Sequence, residues 1–225
     1  MKKILLLIPI LFIGCMTTKY SGNYNFGITQ VEKNGVNSKN EKSLTYEDSI
    51  ISITWLPEQT NFAFSLQNKS NKNFQIIWDD AAMVIGDGGS KRVFHTGVKY
   101  NEAEKSQPPT TVIKGSSISD LVLPAENVSF VYDKALSAYV WKEQNLLPVF
   151  IDKSKKFVEK SSNTYFGKKV IVSIPIKQGE KTIEYIFNFM VKDVDIVEKK
   201  EINAKAISWG IVGVAAIVAI VELSK

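Results

Sequence analysis

The sequence predicts an all-β chain: an antiparallel immunoglobulin-like β-sandwich, preceded by a signal and tether and followed by a hydrophobic helix. Three observations predict it. Apolar and polar residues alternate with a period of two through the middle of the chain, which puts one face of each strand in a core and the other in water. Turn clusters such as Asn68-Lys69-Ser70-Asn71-Lys72 and Gly86-Asp87-Gly88-Gly89 break that alternation at short intervals. Sustained helical periodicity is almost absent from the same region, so seven to ten strands packed as two layers are expected.

Residues 1–14 form a separate element. Lys2 and Lys3 make a positive start, Ile4 to Ile13 an apolar run, and Gly14 precedes Cys15, the only cysteine in 225 residues. That order is the layout of a secretory signal, and a membrane span would need about twenty apolar residues. The segment Phe12-Ile13-Gly14-Cys15 resembles the lipobox of bacterial lipoproteins, with Phe12 where leucine is usual. The resemblance implies cleavage before Cys15, lipidation of that cysteine by diacylglycerol and palmitate-type acyl chains, and membrane lipid as a partner. It places the β-domain outside the cytoplasm in a bacterial cell envelope, and leaves inner and outer membrane both open. With Cys15 lipidated, no internal disulfide can form, so the core must hold the fold.

Residues 15–47 are rich in Asn, Lys, Ser, Thr and Gly and read as a polar tether, although Tyr24, Phe26 and Ile28 alternate as a first strand within 18–31 would. The β-sandwich is expected over 48–197. Ile51, Ile53 and Trp55 alternate with Ser52 and Thr54; Phe62, Phe64 and Leu66 repeat the pattern; Phe74, Ile76 and Trp78 open a further strand. Met83 to Ile85, Arg92 to Thr96, Thr110 to Ile113 and Ile118 to Leu123 follow as short extended runs, then Val128, Phe130 and Tyr132 alternate again. Residues 133–166 are lysine-rich and aperiodic and read as an insertion, with a helical turn fitting 134–147. Lys169 to Ile176 and Thr182 to Val194 flank Gln178-Gly179-Glu180-Lys181, which predicts a hairpin. The stretch Asn68 to Asn127, with Trp78-Asp79, His95-Thr96-Gly97 and Pro108-Pro109, also resembles uncharacterised envelope lipoproteins; it implies a β-sandwich and no activity.

A charged connector is expected over 198–205, then a membrane-associated or transmembrane helix over 206–223. Ala206 to Val221 carries no charge and Lys205 and Lys225 flank it. Sixteen helical residues reach roughly 24 Å against a hydrocarbon core of ~30 Å, a gap that snorkelling lysines can cover. Gly210, Gly213, Ala216 and Ala219 form a stripe of small residues, the pattern that lets a second membrane helix approach closely.

Charge excludes one class of partner. Without Lys2 and Lys3 the chain keeps 26 basic against 23 acidic side chains, a net +3, and the basic residues are dispersed, so no nucleic acid is expected. His95 is the sole histidine, which excludes Cys/His zinc sites and leaves only one candidate base for a Ser-His-Asp triad. His95 is expected to face out of its strand, opposite Phe94. Asp79, Asp80 and Asp87 are the one acidic grouping, read as a strand end and a turn rather than a calcium loop or glycosidase pair. Trp55 and Trp78 are in phase with core positions and Trp141 is the surface candidate. The reading is therefore a non-enzymatic, membrane-anchored binding or scaffolding module with no cofactor and an unidentified envelope protein as partner. Its alternatives are an accessory subunit recruited through the C-terminal helix and, less favoured, an envelope glycan hydrolase.

Overall fold

The computed structural model describes residues 16–39, 44–102 and 104–202. Their strands are β1 (Met16–Lys33), β2 (Val36–Lys39), β3 (Thr45–Glu47), β4 (Ile51–Pro57), β5 (Phe62–Asn68), β6 (Phe74–Ile76), β7 (Ala82–Ile85) and β8 (Lys91–Phe94). The remainder are β9 (Thr110–Val112), β10 (Ser117–Pro124), β11 (Val128–Asp133), β12 (Ala138–Glu143), β13 (Ile151–Asp152), β14 (Lys169–Gln178) and β15 (Lys181–Ile202), with one helix, α1 (Lys155–Asn163). Thirteen strands join in one antiparallel sheet in the order β13-β1-β15-β14-β7-β8-β10-β5-β4-β3, with β2 on β1 and β6 between β14 and β9. The all-β expectation is met.

The sheet curls so that its two halves face each other. Trp55 on β4 packs its ring 5.1 Å from Phe187 and 5.3 Å from Phe189 on β15, although several strands separate β4 from β15 in the hydrogen-bonded order. Phe62 meets Phe189 at 4.8 Å and Phe26 at 5.0 Å. These edge-to-face pairs suit the ring quadrupoles and bury large apolar areas. The corner is β8, which gives two-residue ladders to β7 on one side and β10 on the other. The predicted β14–β15 hairpin is present, closed by Gly179-Glu180 with Gly179 at φ +64°, the positive φ that a type II′ turn requires at its first loop position.

Within 15–47 the described residues do not form a tether, and the alternation of Tyr24, Phe26 and Ile28 does mark a first strand. Residues 16–33 are the long strand β1, paired with β15 from Met16↔Ile202 to Lys33↔Tyr185. Tyr24, Phe26, Ile28 and Val31 are buried in the core. Register shifts between Asn25 and Phe26 and between Ile28 and Gln30 break the period of two, and a β-bulge of this kind re-aims the side chains that follow it. Nor is 198–202 a free connector, because β15 runs on to Ile202 against β1.

The segment 133–166 is likewise no aperiodic insertion. It contains the second strand of the β11–β12 hairpin where a helical turn was expected, then β13 on the edge of β1, then α1. Ser154 caps α1 by accepting from the Phe157 N–H at 3.3 Å, and Val158 and Ser162 are the buried positions of the helix. Gly22 of β1 allows this close approach: a Cβ there would lie 2.1 Å from Ser162 Oγ and 2.9 Å from Ser162 Cβ.

Two polar groups, one buried and one half-buried, pin the loops. Asn68, fully buried, donates from Nδ2 to the carbonyls of Lys72 (2.9 Å) and Val112 (3.0 Å) and accepts from Ser70 N (3.0 Å) and Ser70 Oγ (2.7 Å). Asp48 accepts from Lys33 Nζ (2.5 Å), the Tyr185 hydroxyl (2.9 Å) and the N–H groups of Ile50 and Ile51 (2.7 and 2.8 Å). Burial pushes the Asp48 carboxyl upward, but Lys33, the two N–H groups and Tyr185 outweigh it and hold it below its ordinary value.

Candidate functional site

The most distinctive surface is built by β11 and β12, a two-stranded sheet apart from the main one. Residues directly opposite on an antiparallel pair share a face. The register Phe130↔Trp141 and Tyr132↔Tyr139 therefore gathers four aromatic rings on one side. Their centroids lie 5.0 Å (Phe130–Trp141), 5.4 Å (Phe130–Tyr139) and 5.3 Å (Tyr132–Tyr139) apart. All four are exposed, Trp141 at 42%, and Leu136 in the connecting turn is 67% exposed. Cross-strand aromatic pairs contribute to hairpin stability, and the turn is shaped by Asp133, which accepts from the Ala135 and Leu136 N–H groups. Lys142 pairs with Asp133 at 2.8 Å and, with those N–H groups, holds its carboxyl below the usual value.

The root of the hairpin is tied down. Gln144 N–H donates to Asn127 O at 2.7 Å, closing the strands, and Leu146 N–H donates to Gln59 O at 2.7 Å. Glu143 accepts from Thr60 Oγ1 at 2.9 Å and from the Tyr100 hydroxyl at 2.6 Å. Tyr100 sits between Phe94 (5.3 Å) and Trp141 (5.9 Å), continuing the aromatic row toward the core. Burial, then the Glu143 carboxylate, push its phenol up to about 12.

Beside Tyr100 the loop after β8 borders an open pocket of about 350 Å³ lined by His95, Lys99, Glu102, Lys105, Ser106 and Gln107. His95 does not face out. Its ring stacks flat on Trp78, 4.2 Å away and 3° from parallel, and its side chain is 10% exposed. The strand ends at Phe94, so the chain turns there and carries both Phe94 and His95 inward. His95 Nδ1 is 3.4 Å from Asp120 Oδ2, while Asp120 Oδ1 accepts from the Thr96 and Leu121 N–H groups at 2.8 Å. Asp79 holds the other lip of the loop. It accepts from the Ser106 hydroxyl, from Gln107 N–H at 2.9 Å and from Arg92 at 2.6 Å. Those bonds, Ser106 first, keep its carboxyl below the ordinary range. The serine hydroxyl nearest His95 along this loop is thus engaged by Asp79.

The three aspartates are not assembled. Asp79 and Asp80 belong to a 3-10 turn at Trp78–Asp80, whereas Asp87 is 95% exposed in the turn after β7 and pairs with Lys168. Among the described residues no group of three or more His, Cys, Asp and Glu side chains could hold a metal ion. Trp55 and Trp78 are core residues and Trp141 is on the surface, as their phase predicts. Cys15, Gly210, Gly213, Ala216 and Ala219 lie outside the described residues, and within those residues no helix is long and apolar enough to cross a membrane. Sequence reasoning missed the four-ring face. Its signal was present in Val128, Phe130, Tyr132 and in Tyr139 and Trp141, two alternating runs separated by a short polar segment. No family model matches the chain, and neither a curated protein nor a solved structure matches it.

Proposed function

We propose that the chain is a membrane-anchored envelope lipoprotein whose immunoglobulin-like β-sandwich serves as a non-enzymatic binding or scaffolding module. The observation that carries this is the register Met16↔Ile202. Paired residues of an antiparallel ladder lie about 5 Å apart, so the chain enters and leaves the sheet at one point. Cys15 stands one residue before that point and the apolar run 206–221 begins four residues after it. Four residues span at most about 14 Å. A lipid on Cys15 and a membrane helix would therefore enter one bilayer side by side, and a chain with two such signals is held far more firmly than one with a single acyl chain.

A binding role is supported by the exposed aromatic face, since surfaces of contiguous exposed apolar side chains mark interaction sites. A catalytic role finds no support in the His95 pocket. Both ring nitrogens of His95 lack a hydrogen-bond partner and the Ser106 hydroxyl donates to Asp79, so the nucleophile–base hydrogen bond of a triad is not made there. The test is the intact mass of the protein extracted from membranes. A mass without residues 1–14 and with a diacylglyceryl group, with or without a third acyl chain, is expected. A full-length, unmodified mass would overturn the lipoprotein reading.

A further inference from the structure

We infer that α1 is a second membrane contact, holding Lys153, Lys155, Lys156 and Lys160 against the anionic phospholipid headgroups of the bilayer that receives the chain ends. This rests on the anchoring proposed above. Charge is the first reason. Four of the eight residues from Lys153 to Lys160 are lysine, and Glu159 is the one acid among them. The neighbouring Asp152 is spent on the turn, accepting from the Ser154 N–H at 2.7 Å. Among the described residues none of these four lysines enters an ion pair.

The helix geometry gathers that charge on one side. Val158 and Ser162 are its buried positions, so at 100° per residue Lys156 and Lys160 point together to the opposite side. Phe157 stands next to them, 52% exposed. Two features of this face are unfavourable in the protein by itself. Lysines fill a first turn that holds no acid, where the helix dipole favours negative charge. Lys156 and Lys160 are also like charges at i and i+4, which repel. A surface of negative charge relieves both, and a lysine cluster on an amphipathic helix with an exposed aromatic beside it is how such helices attract anionic lipid.

Position is the second reason, and the strand register supplies it. β13 pairs with β1 through Tyr20↔Asp152 and Ser21↔Ile151. The pairing is antiparallel, so the chain leaves β13 heading toward Met16, and α1 is then fixed where Ser162 abuts Gly22. Tyr20 stands four residues from Met16, about 13 Å of strand. That is comparable to the ~8–10 Å Debye length at physiological salt, so the lysines lie within the field of a bilayer entered at Met16 and Ile202.

Acylation of lysine amines, read residue by residue by mass spectrometry, tests this on the full chain reconstituted in phosphatidylethanolamine/phosphatidylglycerol vesicles and in phosphatidylcholine vesicles. An anionic surface at about −30 mV raises the local proton concentration about threefold. Labelling of Lys156 and Lys160 should therefore fall at least about threefold in the anionic vesicles and recover in about 1 M salt, where the Debye length is ~3 Å. Lys181, at the far end of β15 from Ile202, should label equally in both. A fall at Lys181 as large as that at Lys156 would overturn the contact, because the protection would then have no preferred face. Vesicles that float with the protein but leave Lys156 and Lys160 equally labelled would overturn the contact alone and turn the face over to an acidic protein. Protein that fails to float would overturn both this contact and the anchoring.

Discussion

An alanine at Gly22 would place its methyl carbon 2.1 Å from Ser162 Oγ and 2.9 Å from Ser162 Cβ, while the next atom, Val158 Cγ1, lies at an ordinary 3.8 Å. The conflict is therefore with one side chain on α1. Rotating χ1 of Ser162 moves Oγ but leaves Cβ in place, and carbon pairs settle near 3.5–4.0 Å. The helix must lift from β1 by at least about 0.6 Å to recover that spacing, loosening the buried Val158 contact. Overpacking of this kind costs about 1–3 kcal/mol. Ser162→Gly removes both offending atoms at a helix-propensity cost of about 0.5–1 kcal/mol. The double variant should therefore be more stable than Gly22→Ala alone, with a coupling of about 1–2 kcal/mol in a double-mutant cycle. Urea unfolding of the purified protein, followed by emission of the buried tryptophans, measures all four corners. A Gly22→Ala loss below about 0.5 kcal/mol, or additive single effects, would refute the idea that the missing Cβ is what lets α1 dock.

Asn68→Asp should destabilise by about 3 kcal/mol or more, because the carboxylate cannot donate to Lys72 O and Val112 O and leaves buried carbonyls facing a charge; a thermal unfolding midpoint unchanged from the parent would contradict this. The lowered carboxyl of Asp48 makes stability pH-dependent in a definite sense. Its contribution is complete above the unfolded value of 3.8 and is lost as pH falls below that toward the folded value. Asp48→Asn should cost about 2–3 kcal/mol at neutral pH through the lost charge-assisted bonds and should flatten the acid limb of the stability profile. Parallel acid limbs for variant and parent would show that Asp48 is not the titrating group.

Hairpin β14–β15 and strands β4 and β5 were legible because their signal is local. Ile51, Ile53 and Trp55, or Val170, Val172 and Ile174, record in their own spacing that one face is buried, and the side-chain period of a strand is two whatever lies opposite. Strand β1 lies where the composition predicts a tether because its record is broken. Tyr24, Phe26 and Ile28 keep phase, a bulge follows, and Val31 returns to the core three residues later, so no single period covers the segment.

What the chain states by itself is antiparallel β-structure, an apolar start before a lone cysteine, and an uncharged run near its end. Periodicity and composition are enough for these, since each depends on neighbours in sequence. Which face of a strand is covered depends instead on what packs against it. Phe130 and Tyr132 carry the same alternation as Phe62 and Phe64, yet β5 is roofed by the far half of the sheet while β11 is not, and the first pair is exposed and the second buried. His95 was turned inward for the same kind of reason: the end of β8 at Phe94 and the Trp78 ring across from it are decided by long-range packing. The pairing of Met16 with Ile202 joins residues at opposite ends of the described chain. No local pattern encodes that pairing; its register is set farther along the ladder, where Tyr24, Phe26, Phe187, Phe189 and Val191 share the core.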